Sequence, residues 1–256
     1  MMMDAFSLRL HRRDLLTGCF CKIPSMQNIE VLARSRLDCL VLDAEHGPFD
    51  RNSLDQALMI TRAMGKPAIV RPQTAAPEHI LAALDSGADA LLLPHIRTAD
   101  EAAEAARKAR FGPGGRGFAG HTRSADLGRR TMAQHLDLSA QQVCVIAQIE
   151  DAEALAHLDS IASVAGIDAL FIGRIDLTIS LGLRDAKAPA VLDACERIIA
   201  AAVKAGKPVG LFTPDLAELP RWRDQGASLF LLGSDQGFLQ QGADQLLRDV
   251  SAKLTA

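Results

Sequence analysis

Residues 145–151 read VIAQIED and residues 170–177 read LFIGRIDL. Each stretch sets an acidic side chain, Glu150 or Asp176, just past a short apolar run. The same construction recurs as TGCFCKI (17–23), CLVLD (39–43), AIVR (68–71), ALLLP (90–94), VCVIAQI (143–149), ALFIG (169–173), PVGLF (208–212) and LFLLG (229–233). Parallel strands covered on both faces read as continuous apolar runs of this kind, because neither face meets water. Between them, SLDQALMITRAMG (53–65), PEHILAALDSG (77–87), TADEAAEAARKARFG (98–112), DAEALAHLDSIASV (151–164) and VLDACERIIAAAVKAG (191–206) space apolar residues three or four apart, and several end in a C-capping Gly. Eight strands alternating with helices predict a single-domain α/β protein over residues 1–256, a (β/α)8 TIM barrel.

A doubly wound open sheet shares the alternation, but eight repeats within one domain's length favour closure. No Gly-x-Gly-x-x-Gly follows the first run, so NAD and FAD are not expected. A net charge of −3 gives no general attraction to polyanions, and nucleic acid is not an expected partner. Cys19, Cys21, Cys39, Cys144 and Cys195 are an odd set, four of them inside strand-like runs, and read as buried thiols of a reducing compartment. The first residues lack the apolar stretch of a signal peptide, and no run approaches the roughly 20 apolar residues that cross a bilayer. A cytoplasmic protein without a membrane partner is the expectation.

In a barrel of this kind the chemistry sits where the strands end. Those ends carry Asp43, Glu45 and His46, then Arg71, then Pro94 and His95, then Gln148 and Glu150, then Phe212 and Thr213, then Ser234 and Asp235. A hard divalent cation takes one or two carboxylates and leaves its other positions to water or substrate oxygens. Glu150 and Asp176 fit that pattern, and a 2-oxo acid offers the adjacent oxygens that would chelate. Arg71 is placed to stabilise charge on the carbonyl oxygen. His46 supplies an acid/base group whose ordinary pKa, about 6.5, suits neutral pH. Residues 111–142 interrupt the rhythm with FGPGGRGFAGHTRSADLGRR and more. They read either as a surface excursion or subunit contact, or as a flap bringing Arg116, His121 or Arg123 to an anionic substrate.

DAEHGPFD, IVRP, ALDSGADALLLP, PGGRGF, AQIED and FIGRIDLTISLG, in this order from about Thr17 to Gly233, resemble the successive motifs of the HpcH/HpaI aldolase family, the class II metal-dependent pyruvate aldolases. The resemblance implies retro-aldol cleavage of a 4-hydroxy-2-oxo acid to pyruvate and an aldehyde in sugar-acid or aromatic catabolism. Mg²⁺, Mn²⁺ or Co²⁺ would be the cofactor, with no Schiff-base lysine and no PLP. It makes Glu150 and Asp176 the metal ligands, Arg71 the group polarising the 2-oxo oxygen, and His46 the base at the C4 hydroxyl. Asp85 would pair with this histidine, Asp43 would hold metal-associated water, and Gln148, Gly173, Ile175 and Phe212 would line the substrate pocket. Family members assemble as trimers or hexamers, so a C-terminal helix over about 240–254 would pack on its own barrel or be exchanged between subunits.

Arg174 and Ile175 stand where the family commonly has small residues, and His95 and Arg97 where a more apolar or acidic pair is usual. Lys22, just past the first run, has no supporting motif. A CoA-ester lyase of the malyl-CoA type and a non-catalytic barrel are the competing readings.

Overall fold

The structure, a computed structural model, describes residues 5–254. In chain order the elements are α1 (Phe6–His11), β1 (Leu16–Cys21), α2 (Met26–Ala33), β2 (Cys39–Asp43), α3 (Arg51–Ala63), β3 (Ala68–Arg71), α4 (Pro77–Asp85), β4 (Ala90–Leu93) and α5 (Ala99–Ala109). They continue with α6 (Met132–Gln142), β5 (Cys144–Ile149), α7 (Leu158–Ala162), β6 (Ala169–Ile172), α8 (Arg174–Ser180), α9 (Pro189–Lys204), β7 (Val209–Phe212), α10 (Leu219–Asp224), β8 (Leu229–Ser234) and α11 (Asp235–Leu254). The strands follow sequence order around a closed parallel barrel, β1 pairing with both β2 and β8. The predicted (β/α)8 architecture is borne out.

Two apolar layers hold the barrel. Val41, Ile69, Leu92, Ile146, Phe171 and Leu231 turn inward, where Phe6 and Leu10 of α1 join them. Alternate residues such as Leu40, Leu42, Val70, Leu91, Val145 and Leu170 turn outward against the helices. Burying one such aliphatic side chain is worth about 1.5–3 kcal/mol, and the strands contribute little else. Gly18 lies where a Cβ would meet Cys39 Sγ at 2.8 Å and Leu231 at 3.0 Å, so the packing there leaves no room for a side chain. All five cysteines are buried and unpaired. Among the described residues no helix is long and apolar enough to cross a membrane.

A repeated aspartate sets the register of alternate strand pairs. Asp38, Asp89 and Asp168 each precede an even strand, in Asp-Cys-Leu, Asp-Ala-Leu and Asp-Ala-Leu. Their carboxylates accept the backbone N–H of Thr17 (2.8 Å), Ala68 (2.9 Å) and Val145 (2.7 Å) on the preceding odd strand. Burial acts to raise the Asp38 carboxyl. The Thr17 amide and hydroxyl, with Arg9, more than offset it and hold the group below its ordinary range. A carboxyl lowered in this way stabilises the fold above its unfolded pKa, and the contribution disappears as pH falls through the folded value. Asp38→Asn is expected to cost about 1 kcal/mol at pH 7 and nothing at the acid end. Urea unfolding of both proteins between pH 7 and pH 3 checks this; a pH-independent difference would assign the loss to packing instead.

Three expectations change. The helix expected over 151–164 is divided into a 3-10 turn (Ala152–Ala156) and α7, because His157, at φ −119° and ψ 9°, leaves the helical region between them. The 111–142 segment is no flap over the strand ends. It packs along the outside of α3 and mostly toward the end where the chain enters the strands: Arg116 is buried with its guanidinium 4.0 Å from the Phe111 ring centre, Arg123 pairs with Asp55 in the first half of α3, and Arg62 near the end of α3 pairs with Asp126. Finally, α11 starts at Asp235, five residues before the expected helix. The buried Asp235 carboxylate accepts the Lys22 and Ile23 amides and the Asn28 side chain, pinning the helix start to the end of β1. Beyond that anchor every residue from 240 to 254 is exposed, including Leu246, Leu247, Val250 and Leu254, so α11 does not cover its own barrel.

Candidate active site

The carboxyl ends of β1, β2, β3, β5, β6 and β7 enclose a cavity of about 250 Å³ lined by Phe20, Lys22, His46, Arg71, Gln148, Phe171, Gly173, Ile175, Asp176 and Phe212. Polar residues end β2, β3 and β8 or follow within a few residues of the other strands, and closure of the barrel turns these ends toward one another. Most of the residues expected to do chemistry therefore meet here.

Arg71, the last residue of β3, is the fixed cation. Its Nε and one terminal nitrogen donate to the two oxygens of Asp43 at 2.9 and 2.7 Å, and the other terminal nitrogen lies 3.2 Å from Glu45. The guanidinium also stands 4.7 Å from the Phe20 ring centre. Asp43 is fully buried. Burial would raise its carboxyl, but Arg71, the His46 amide and Lys22 hold it below the ordinary carboxylate range. Lys22 Nζ lies 3.6 Å from Asp43, so this lysine is occupied as an ion-pair partner.

Glu150, directly after β5, is almost fully buried. Its Oε1 accepts the His95 amide at 2.9 Å and its Oε2 accepts the Gln148 side chain. Gly173 makes room for it: a Cβ there would come within 2.6 Å of Glu150 Oε2. Burial pushes the Glu150 carboxyl up against those two hydrogen bonds, and burial likewise raises Glu45 against the pull of Arg71 and His95. Oε2 of Glu45 and Oε1 of Gln148 are buried without a hydrogen bond.

The charges do not balance within the protein. Glu45 stands near enough to Glu150 and to Asp176 for mutual repulsion, while Arg71 and Lys22 are already paired with Asp43 and Glu45. Ligand atoms of Glu45, His95 and Glu150 lie within 4.8 Å of one another. A hard, oxygen-liganded divalent cation fits such a set, since it would supply positive charge among these carboxylates.

His46 lies on the cavity wall with a half-exposed ring, its Nε2 3.9 Å from Glu45 and its amide donating to Asp43 at 3.2 Å. The Phe212 ring packs tilted against Phe20 with centres 5.8 Å apart, and Ile175, more than half exposed, forms part of the mouth. Arg174 is turned aside into an ion pair with Glu218 at 2.7 Å. Asp85 is the exception. It closes α4, on the side where the chain enters β4, whereas His46 follows the end of β2; its charged neighbour is Arg116, 4.0 Å away, and burial raises its carboxyl against that pull. One copy of the chain does not bring Asp85 to His46.

Sequence reasoning gave no role to Glu45, Lys22, His95 or Asp151. Glu45 stands two residues past the end of β2, and Asp151 directly follows Glu150, so strand-end position was the available signal for both. Lys22 was marked only by its place just past β1, and it meets Asp43 because β1 pairs with β2.

The chain is similar to known proteins along nearly its whole length. Residues 16–241 match the family profile described as HpcH/HpaI aldolase/citrate lyase. A 5-keto-4-deoxy-D-glucarate aldolase of Klebsiella pneumoniae is 33% identical over 245 residues, 95% of each chain. A hydroxypyruvate/pyruvate aldolase of Paraburkholderia phytofirmans is 35% identical over 250 residues, 94% of this chain and 95% of its own. The crystal structure of an HpcH/HpaI aldolase/citrate lyase family protein from Burkholderia cenocepacia superposes with a TM-score of 0.91 at 35% identity, covering 96% of this chain and 98% of that one.

Proposed function

The chain belongs to the HpcH/HpaI aldolase/citrate lyase family, and from that premise we propose that it is a divalent-metal-dependent class II aldolase cleaving 4-hydroxy-2-oxo acids to pyruvate, or a close analogue of it, and an aldehyde. The observation that carries the reading is the meeting of buried Glu150, partly buried Glu45 and Asp176 and the fixed Arg71 guanidinium at one barrel mouth that His46 also reaches. The aldolase relatives, 33–35% identical along nearly the whole chain, favour this over the CoA-ester lyase and the non-catalytic barrel.

Glu150 and Asp176 would hold the cation, as the family resemblance implies, and Glu45 and His95, whose ligand atoms lie within 4.8 Å of that of Glu150, would stand beside them. When bound, a divalent cation supplies Lewis acidity at the 2-oxo carbonyl. The remaining steps belong to the chain's own residues. Arg71, locked by Asp43 and Glu45, presents positive charge to the carbonyl oxygen without having to reorganise. His46 takes the C4 hydroxyl proton. The C4–O electrons form the aldehyde carbonyl, the C3–C4 bond breaks, and its electron pair moves into the 2-oxo group as the enolate. Returning the proton to C3 yields pyruvate. Phe20, Phe212 and Phe171 would present an apolar wall to the substrate carbon chain, while Gly173 and the backbone amides opening α8 would receive its carboxylate end. Ile175 at the mouth would bear on the aldehyde half.

The pairing of Asp85 with His46 that the family resemblance implies would then be made between copies of the chain. The uncovered apolar face of α11 supports the same reading, as a segment exchanged with a neighbour in a trimer or hexamer. Sedimentation is expected to show an oligomer; a stable monomer with full activity would remove both the exchange and the pairing.

The central test measures pyruvate release from a panel of 4-hydroxy-2-oxo acids by metal-stripped protein, then with Mg²⁺, Mn²⁺ or Co²⁺ restored. Release is expected to require the cation, as is exchange of pyruvate methyl protons with solvent. Absence of both with every metal would transfer the weight to acetyl-CoA-type chemistry or to a non-catalytic role.

A further inference from the structure

His95 follows β4 and breaks the local backbone rule. Its φ of +56° is the left-handed region, where a residue with a Cβ is uncommon. Such a conformation persists where the surroundings hold it. Here the His95 amide is held by Glu150 Oε1 at 2.9 Å, and the next amide, of Ile96, by the Gln148 carbonyl at 3.3 Å. The turn brings the ring over the carboxylates: Nδ1 lies 3.0 Å from Asp151 Oδ2 and 3.6 Å from Glu150 Oε1, and Nε2 lies 3.6 Å from Glu45 Oε1.

Around a six-coordinate cation with ligand distances of about 2.1 Å, adjacent ligands stand about 3.0 Å apart and opposite ones about 4.2 Å. The 3.6 Å from His95 Nε2 to Glu45 Oε1 falls between these limits, and Glu150 completes a set whose ligand atoms all lie within 4.8 Å of one another. A metal-ligating histidine ordinarily donates its second ring N–H to a carboxylate, which fixes the tautomer and aims the free nitrogen. Asp151 stands at hydrogen-bonding distance on the Nδ1 side, leaving Nε2 turned toward Glu45.

Resting on the aldolase reading of the same cavity, we propose that His95 Nε2 is a ligand of the divalent cation alongside the Glu45 and Glu150 carboxylates, oriented by Asp151, and that this imidazole shifts the site from Mg²⁺ toward Co²⁺ and Zn²⁺. All-oxygen sets suit Mg²⁺, whereas an imidazole nitrogen favours the later transition metals. The ring is more than half exposed, so a cation entering from the mouth reaches it without rearrangement of the barrel.

Calorimetric titration of metal-stripped protein with Co²⁺, Zn²⁺ and Mg²⁺ tests this in the native chain, His95→Gln and Glu150→Gln. Loss of the imidazole is expected to weaken Co²⁺ and Zn²⁺ at least about tenfold and Mg²⁺ by less than about threefold. A second measurement needs no variant to fold: pulsed EPR of Mn²⁺ bound to the native protein is expected to show coupling to an imidazole ¹⁴N, lost in His95→Gln and kept in His46→Gln. Unchanged Co²⁺ affinity in His95→Gln, or no nitrogen coupling in the native protein, overturns the proposal while leaving the aldolase reading intact. If Glu150→Gln binds Co²⁺ as the native chain does, or the native chain binds no cation, the metal reading itself fails, and this proposal with it.

Discussion

Glu150→Gln is expected to lower metal-stimulated pyruvate release by at least about 10³-fold, several kcal/mol of lost charge stabilisation at the reacting carbonyl. The substitution nearly preserves shape. The new amide oxygen can still accept the His95 N–H, and its NH₂ meets Gln148, whose own unbonded Oε1 can turn to accept it. The loss would therefore report on charge. Metal-free stability gives the complementary sign. Because burial raises the Glu150 carboxyl, its ionised form opposes folding near neutral pH, and the neutral amide should leave the melting temperature of the metal-free protein unchanged or higher. Melting curves with and without chelator, run beside the activity assay, separate these effects. Native-level activity in the variant, with chelator present, would end the metal mechanism.

Arg71→Lys carries the second large effect. Lysine keeps the charge but cannot make the two-point contact with Asp43 and the third contact with Glu45. The positive charge would no longer be held toward the carbonyl oxygen, and kcat is expected to fall about 10²–10³-fold. Affinity for the cation should change little, since Arg71 is not among its ligands. Arg71→Ala is the harsher variant: it leaves the fully buried Asp43 with Lys22, 3.6 Å away, as its charged partner, and about 3–5 kcal/mol of stability should be lost. Steady-state kinetics at saturating metal, beside calorimetry of metal binding, resolves the two roles. A lysine variant with native kcat would show that point charge suffices and the guanidinium geometry is idle.

How far the site was legible depended on where each residue stands relative to a strand. Glu150, Arg71, Asp43, Gln148 and Phe212 lie inside or at the end of apolar runs, so the period of the sequence already placed them at the rim. His46 and Asp176 follow within a few residues. Lys22 and His95 were visible as polar residues near strand ends, but their partners were not: Lys22 reaches Asp43 because β1 pairs with β2, and His95 reaches Glu45 and Glu150 through one left-handed residue that no pattern announces. Asp85 shows the opposite case. Its motif pointed to His46, and the direction of α4 carries it away within the chain.

The sequence by itself determined the closed barrel, the strand ends as the place of chemistry, and the chemical classes assembled there. These follow from short-range facts: apolar runs must be buried on two faces, and a chain that alternates run and helix eight times has few compact ways to do so. Only the tertiary structure decided that the 111–142 segment packs at the far end, that α11 leaves its barrel, and that an imidazole joins the carboxylates at the mouth. Those outcomes depend on pairwise distances between residues far apart in the chain. Helix direction, barrel closure and a single backbone torsion set such distances, and none of them leaves a periodic trace in the order of amino acids.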